Sequence, residues 1–128
     1  MTEQPPDIVL LASEWRTRAL IRAQLIEEGF EVVATDTWPT MRWQLRPGMK
    51  PRLAIVDLKD LPSPEDVLND VRVLMKPERV LVLAATGTVA AEDIERLGFH
   101  VRPRPFAVSD VVRAAANAIR TAQVSTEA

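Results

Sequence analysis

The sequence has 128 residues, 47% of them hydrophobic and 27% charged, with a formal net charge of −2. That length gives one domain with one core, and the charge balance supports neither a basic nucleic-acid surface nor a like-charged disordered tail. Cysteine is absent, which excludes disulfides and thiolate metal sites, and the single histidine, His100, argues against a histidine-based metal site or a Ser-His-Asp triad.

The polar, acidic start Met1–Asp7 (MTEQPPD) is unlike a signal peptide. No apolar run approaches the ~18 residues that span a bilayer, so a cytoplasmic protein without membrane or nucleic-acid partners is expected. Asp7–Ala12 (DIVLLA) reads as a buried strand. Ser13 reads as the N-cap of a helix with Glu14 in its first turn, and Gly29 closes it. Glu31–Asp36 is a second strand, and TWPTMRWQLRPG is a short helix with Pro39 near its start. Arg52–Asp57 (RLAIVD) is a third strand that runs without alternation into a carboxylate.

A proline-rich loop then leads to Ser63 as N-cap and Pro64 at the first helical position of PEDVLNDVRVLMK, whose apolar stripe is Val67, Leu68, Val71, Leu74 and Met75. Arg79–Ala85 is the fourth strand. A helix from Thr88 closes at Gly98, and Phe99–Pro103 is a weaker fifth strand. From Ser109 an alanine-rich helix has a core stripe of Val108, Val112, Ala115, Ile119 and Ala122, with Ala114, Ala116 and Ala118 outward. Residues 123–128 read as a tail beyond a single domain whose core spans about 7–122.

Five strands alternating with helices, three of them continuous Val/Ile/Leu runs, predict a doubly wound α/β fold: a five-stranded parallel sheet with helices on both faces. The flavodoxin-like order 2-1-3-4-5 is the favoured topology, and it places ligands outside the carboxyl ends of the strands. Asp57 stands at such an end.

The arrangement resembles the receiver domain of bacterial response regulators, the CheY-like family, over about Asp7–Ala122. The likeness rests on LAIVDL around Asp57, on LIEEGFEVV at the junction of the first helix and second strand, on Arg104–Pro105–Phe106 in place of Lys-Pro-Phe, and on Pro62 after the aspartate. It implies two-component signal transduction, with Asp57 as phosphoacceptor, a magnesium ion held by two further acids, a Ser or Thr on a phosphoryl oxygen and a lysine beside it. It also implies a cis peptide before Pro105, and partners such as a histidine kinase or an output protein.

This sequence departs from that pattern. The acidic pair falls on Ala12 and Ser13, the hydroxyl position on Ala84, the lysine on Arg104 and the aromatic switch position on Val101. The magnesium ligands are missing, so no cofactor is expected. Glu14, one residue late, reads as a favourable charge at a helix start, and Thr86 as a loop residue or cap. Lys59 is either a charge partner that swings toward Asp57 or a solvated loop lysine. Asp57 is either a vestigial acceptor with a structural role or an atypical acceptor served by Lys59 and Arg104.

The reading is a degenerate receiver, or pseudo-receiver, that is not an enzyme and works by protein contact. The alternatives are an atypical phospho-accepting receiver and a small flavodoxin-like ligand-binding domain or enzyme. Against the last, no glycine-rich loop follows the first strand. Leu20, Ile21 and Leu25 are expected to face the sheet, with Trp15 beside or filling the degenerate pocket. Trp38 and Trp43 are expected to pack or anchor loops, an exposed tryptophan marking a contact surface. A homodimer through the face of helix four, strand five and helix five is expected by position in the family.

Overall fold

A computed structural model describes residues 4–127. The lead-in Met1–Glu3 and the final Ala128 lie outside the described residues. The strands are β1 (Ile8–Leu11), β2 (Val32–Thr35), β3 (Leu53–Asp57), β4 (Val80–Leu83) and β5 (His100–Arg102). The helices are α1 (Trp15–Glu27), α2 (Trp38–Gln44), α3 (Pro64–Leu74), α4 (Ala91–Arg96) and α5 (Val108–Glu127), with a 3-10 turn at Pro77–Arg79. All neighbouring strands pair in parallel, in the order β2-β1-β3-β4-β5, as the alternation predicts.

The unbroken apolar strands follow from two cores. On one face Val9, Leu11, Ala54, Val56, Val80 and Val82 meet Met41 of α2, Leu45 just after it, and Val67, Leu68, Val71 and Ile94 from α3 and α4. On the other, Ile8, Leu10, Leu53, Ile55, Leu81 and Leu83 meet Ile21 and Leu25 of α1 and Val111, Ala115 and Ile119 of α5. Successive strand residues point to opposite faces, so a strand covered twice must be apolar at every position. Asp7 ties the strand starts together: its carboxylate accepts from the Glu31 amide at 2.8 Å, and its carbonyl accepts from the Arg52 and Leu53 amides.

Several boundaries differ from the sequence reading. Glu14, not Ser13, occupies the N-cap position of α1, in extended backbone with no side-chain cap bond. Gly29 ends the helix as expected. Its φ of +97° suits glycine, and the Gly29 and Phe30 amides donate to Ile26 and Leu25 in a Schellman closure. Ser63 does stand at the N-cap of α3, but its backbone is left-handed and its hydroxyl makes no cap bond.

The helix expected from Thr88 starts only at Ala91. Thr88 instead closes a turn, its amide and hydroxyl both donating to the Ala85 carbonyl. In α5, Val111 and Ala118 are buried while Val108 is half-buried, so the core stripe is broader than read, and Ala118 does not face outward. The helix continues to Glu127 through most of the expected tail. Among the described residues, no helix is long and apolar enough to cross a membrane.

Candidate functional site

The carboxyl ends of β1, β3 and β4 converge on Asp57. Its side chain is buried, at 1% exposure, as the last residue of β3. A buried carboxylate needs a compensating charge and filled lone pairs, and Arg104 supplies both. One guanidinium nitrogen, Nη1, donates to Asp57 Oδ1 at 2.8 Å, and Nη2 donates to Oδ2 at 2.7 Å. This is the two-point fork that arginine can make and lysine cannot. Nη1 also donates to the Ala84 carbonyl at 3.0 Å, and the guanidinium lies 4.8 Å from the centre of the Phe106 ring, within cation–π range. The Arg104–Pro105 peptide is cis, as the resemblance implies.

Asp57 Oδ1 takes one more bond, from the Lys59 amide at 3.0 Å. That turn arises locally. Leu58 and Leu61 are both buried and bridged by an amide–carbonyl bond, while Asp60 takes positive φ. The loop therefore pins its leucines inward and sends the Lys59 side chain outward. The Lys59 ammonium does not turn to Asp57. It donates to Glu14 Oε2 at 2.7 Å, while the Thr17 hydroxyl donates to Glu14 Oε1 at 2.8 Å. The Lys59 hydrogen bond, with Thr17's behind it, holds the Glu14 carboxyl below its ordinary value, and the bond to Glu14 holds the Lys59 ammonium above its own. Glu14 is thus more than a charge at a helix start, and Lys59 is paired, but with Glu14 rather than Asp57.

The remaining positions hold little chemistry. Ala12 and Ala84 are buried methyl groups. Ser13 is half-buried, and its carbonyl and that of Ala12 accept from Arg18. Thr86 is exposed, and Val101 packs half-buried against the core. Trp15 does not fill the pocket: it is 68% exposed. Leu20 likewise turns outward rather than to the sheet, at 48% exposure. Trp38 packs on the core, while Trp43 is exposed and stacks under Arg46 at 4.0 Å.

The donor set does not fit a divalent cation. Asp57 is the one acid inside the site, and both its oxygens already bond Arg104. Glu14 is taken by Lys59 and Thr17. No cluster of three or more potential metal ligands exists among the described residues. Beside the site lies an open cleft of about 480 Å³, lined by Arg16, Thr17, Lys59, Thr86, Arg104 and Phe106 among others.

No family model and no curated protein matches the sequence. Solved structures do match the fold. The receiver domain of a LuxO repressor protein from Vibrio parahaemolyticus is 21% identical, with a TM-score of 0.78 over 95% of each chain. A CheY-like receiver domain protein from Methanospirillum hungatei JF-1 is 17% identical, with a TM-score of 0.76 over 97% of this chain and 99% of that one. An adenylate cyclase from Rhodopirellula baltica is 19% identical, with a TM-score of 0.77 over 94% and 91%. The fold is that of response-regulator receiver domains.

Proposed function

We propose that this protein is a pseudo-receiver: a signalling module that keeps the receiver fold, is not phosphorylated through magnesium, and acts by contact with other proteins. The observation that carries this reading is the Arg104 fork on both oxygens of Asp57. A guanidinium does not deprotonate in proteins, so it supplies a permanent charge where a metal ion and a lysine would otherwise act. For Asp57 to attack a phosphorus atom, one oxygen must leave this fork. The product would then carry about two negative charges where there was one. Neither Ala12 nor Ala84 offers a ligand to receive them.

The module is no enzyme on this reading, and it belongs in the cytoplasm. Its partner is a protein such as a histidine kinase or an output protein.

The cleft beside Asp57 favours a second reading, an atypical phosphoacceptor. Arg16, Lys59 and Arg104 line it; Lys59 and Arg104 are paired with Glu14 and Asp57, which leaves Arg16 to attract an anionic donor. A flavodoxin-like ligand-binding or enzymatic role has less support, because the β1–α1 turn, Ala12-Ser13-Glu14, has no glycine to cradle a phosphate.

Incubation with acetyl phosphate and magnesium, read by intact mass, separates the first two. The wild type stays unmodified, whereas a variant carrying Ala12→Asp, Ser13→Asp, Ala84→Thr and Arg104→Lys gains a phosphoryl group. Modification of the wild type at a rate like that of the rebuilt variant would reject the pseudo-receiver and favour the atypical acceptor.

A further inference from the structure

Helix α1 carries apolar side chains on two faces. Ile21 and Leu25 are fully buried against the sheet. The opposite surface carries Trp15, Ala19, Ala23 and Ile26, all exposed. At 3.6 residues per turn these four fall within an arc of about 80°. Three of the five large apolar side chains exposed among the described residues, Trp15, Leu20 and Ile26, lie on this one helix of 13 residues. Scattered exposed leucines need no explanation, but a contiguous apolar stripe marks a contact surface.

The charges beside the stripe indicate what covers it. Arg16 and Glu27 stand eleven positions apart, about three turns, and so flank the arc on the same side. Neither side chain is ion-paired with a described residue. In antiparallel helix pairs the same flank meets the same flank, so Arg16 of one copy faces Glu27 of another, twice over. Trp15 then meets Ile26, and Ala19 meets Ala23, small against small at the centre, where the backbones come closest. All three pairings centre within about one residue of Ile21, as a single twofold axis requires. A parallel pairing instead brings opposite flanks together and leaves Arg16 and Glu27 apart, while the antiparallel one sets the exposed Arg22 of the other flank near its own copy at the axis.

We propose that the outer face of α1 is an isologous interface, on which a second copy of this chain docks antiparallel about a twofold axis near Ile21. The face expected from family position is less suited. There Asp110 of α5 is already shared by Arg102 of β5 and by Arg113. The proposal does not depend on the chemical state of Asp57.

Sedimentation equilibrium across the micromolar range tests it. The wild type forms a dimer, and Ala23→Glu, an exposed change that leaves the fold intact by circular dichroism, weakens it by about tenfold or more. Arg16→Glu and Glu27→Arg each weaken it, and the double reversal restores it, because the two pairs are merely exchanged. The absence of cysteine gives an independent check: mixing Ala19→Cys with Ala23→Cys yields the mixed disulfide dimer under mild oxidation. A wild type that stays monomeric, or a dimer indifferent to Ala23→Glu and not rescued by the double reversal, overturns the proposal.

Discussion

At the scale of single residues, the site turns on one exchange, arginine for lysine. The fork satisfies both carboxylate oxygens, so among the described residues no buried side-chain nitrogen or oxygen lacks a partner. A buried ion pair is costly to break on one side and cheap to remove whole. Arg104→Met leaves Asp57 charged and enclosed, and should cost about 3–5 kcal/mol of stability. Arg104→Met with Asp57→Asn should recover most of that loss, since no buried charge remains and the Lys59 amide keeps an acceptor. Urea denaturation of both single variants and the double gives the coupling energy, and purely additive losses would show that the fork carries no stabilising interaction.

The sequence placed both partners by analogy with a motif: Asp57 at the end of an apolar strand, Arg104 before Pro105. It could not show that they bond, because they stand 47 positions apart and no local pattern reports a contact across two strands. The Glu14–Lys59 pair, 45 positions apart, was hidden for the same reason, and Glu14 had a sufficient local explanation in the helix dipole.

At the scale of elements, that second pair clips the start of α1 to the β3–α3 loop. Its pH dependence follows from the two shifts. The Glu14 carboxyl is lowered from 4.5, so its contribution is complete above 4.5 and fades as pH falls through the lower folded value. The Lys59 ammonium is raised from 10.5, so its share is complete below 10.5 and fades as pH rises through the higher folded value. Between these limits the clip is constant. Glu14→Gln should therefore be less stable than the wild type at neutral pH, by an amount that salt reduces, and the difference should close in acid below the folded value. Denaturation curves at neutral and acidic pH check this, and a gap that persists in acid would mean that Glu14 acts without its charge.

The strands were legible because burial on both faces leaves a plain signature in their composition. Helix starts were less so. Ser13 is the better capping residue, yet the chain turns at Glu14, where the side chain serves Lys59 and Thr17 instead. At Thr88 a local turn onto the Ala85 carbonyl displaced the helix start, and Trp15, placed on an apolar arc, turns to solvent while Arg16 and Thr17 of the same helix line the cleft.

At the scale of the whole molecule, every ligand that binds only the folded state must raise its stability, by RT ln(1 + [L]/Kd). Magnesium at a hundred times its Kd would add about 2.7 kcal/mol, which moves the melting temperature of a domain this size by several degrees. Among the described residues of the wild type, Asp57 is the one buried carboxylate, and Arg104 holds both its oxygens. Magnesium dehydrates reluctantly and will not displace a charge-assisted fork to gain a single ligand. Its melting temperature should stay flat across millimolar magnesium.

The variant with Ala12→Asp, Ser13→Asp and Arg104→Lys should behave in the opposite way. Without metal its three neighbouring carboxylates repel one another, so it should melt below the wild type. Added magnesium should raise its melting temperature in a saturable manner, because the ion relieves that repulsion only in the folded state. Calcium, larger and less demanding in geometry, serves as the comparison cation. A saturable rise in the wild type, lost on Asp57→Asn, would show that Arg104 yields its carboxylate to a metal and that the site is not closed.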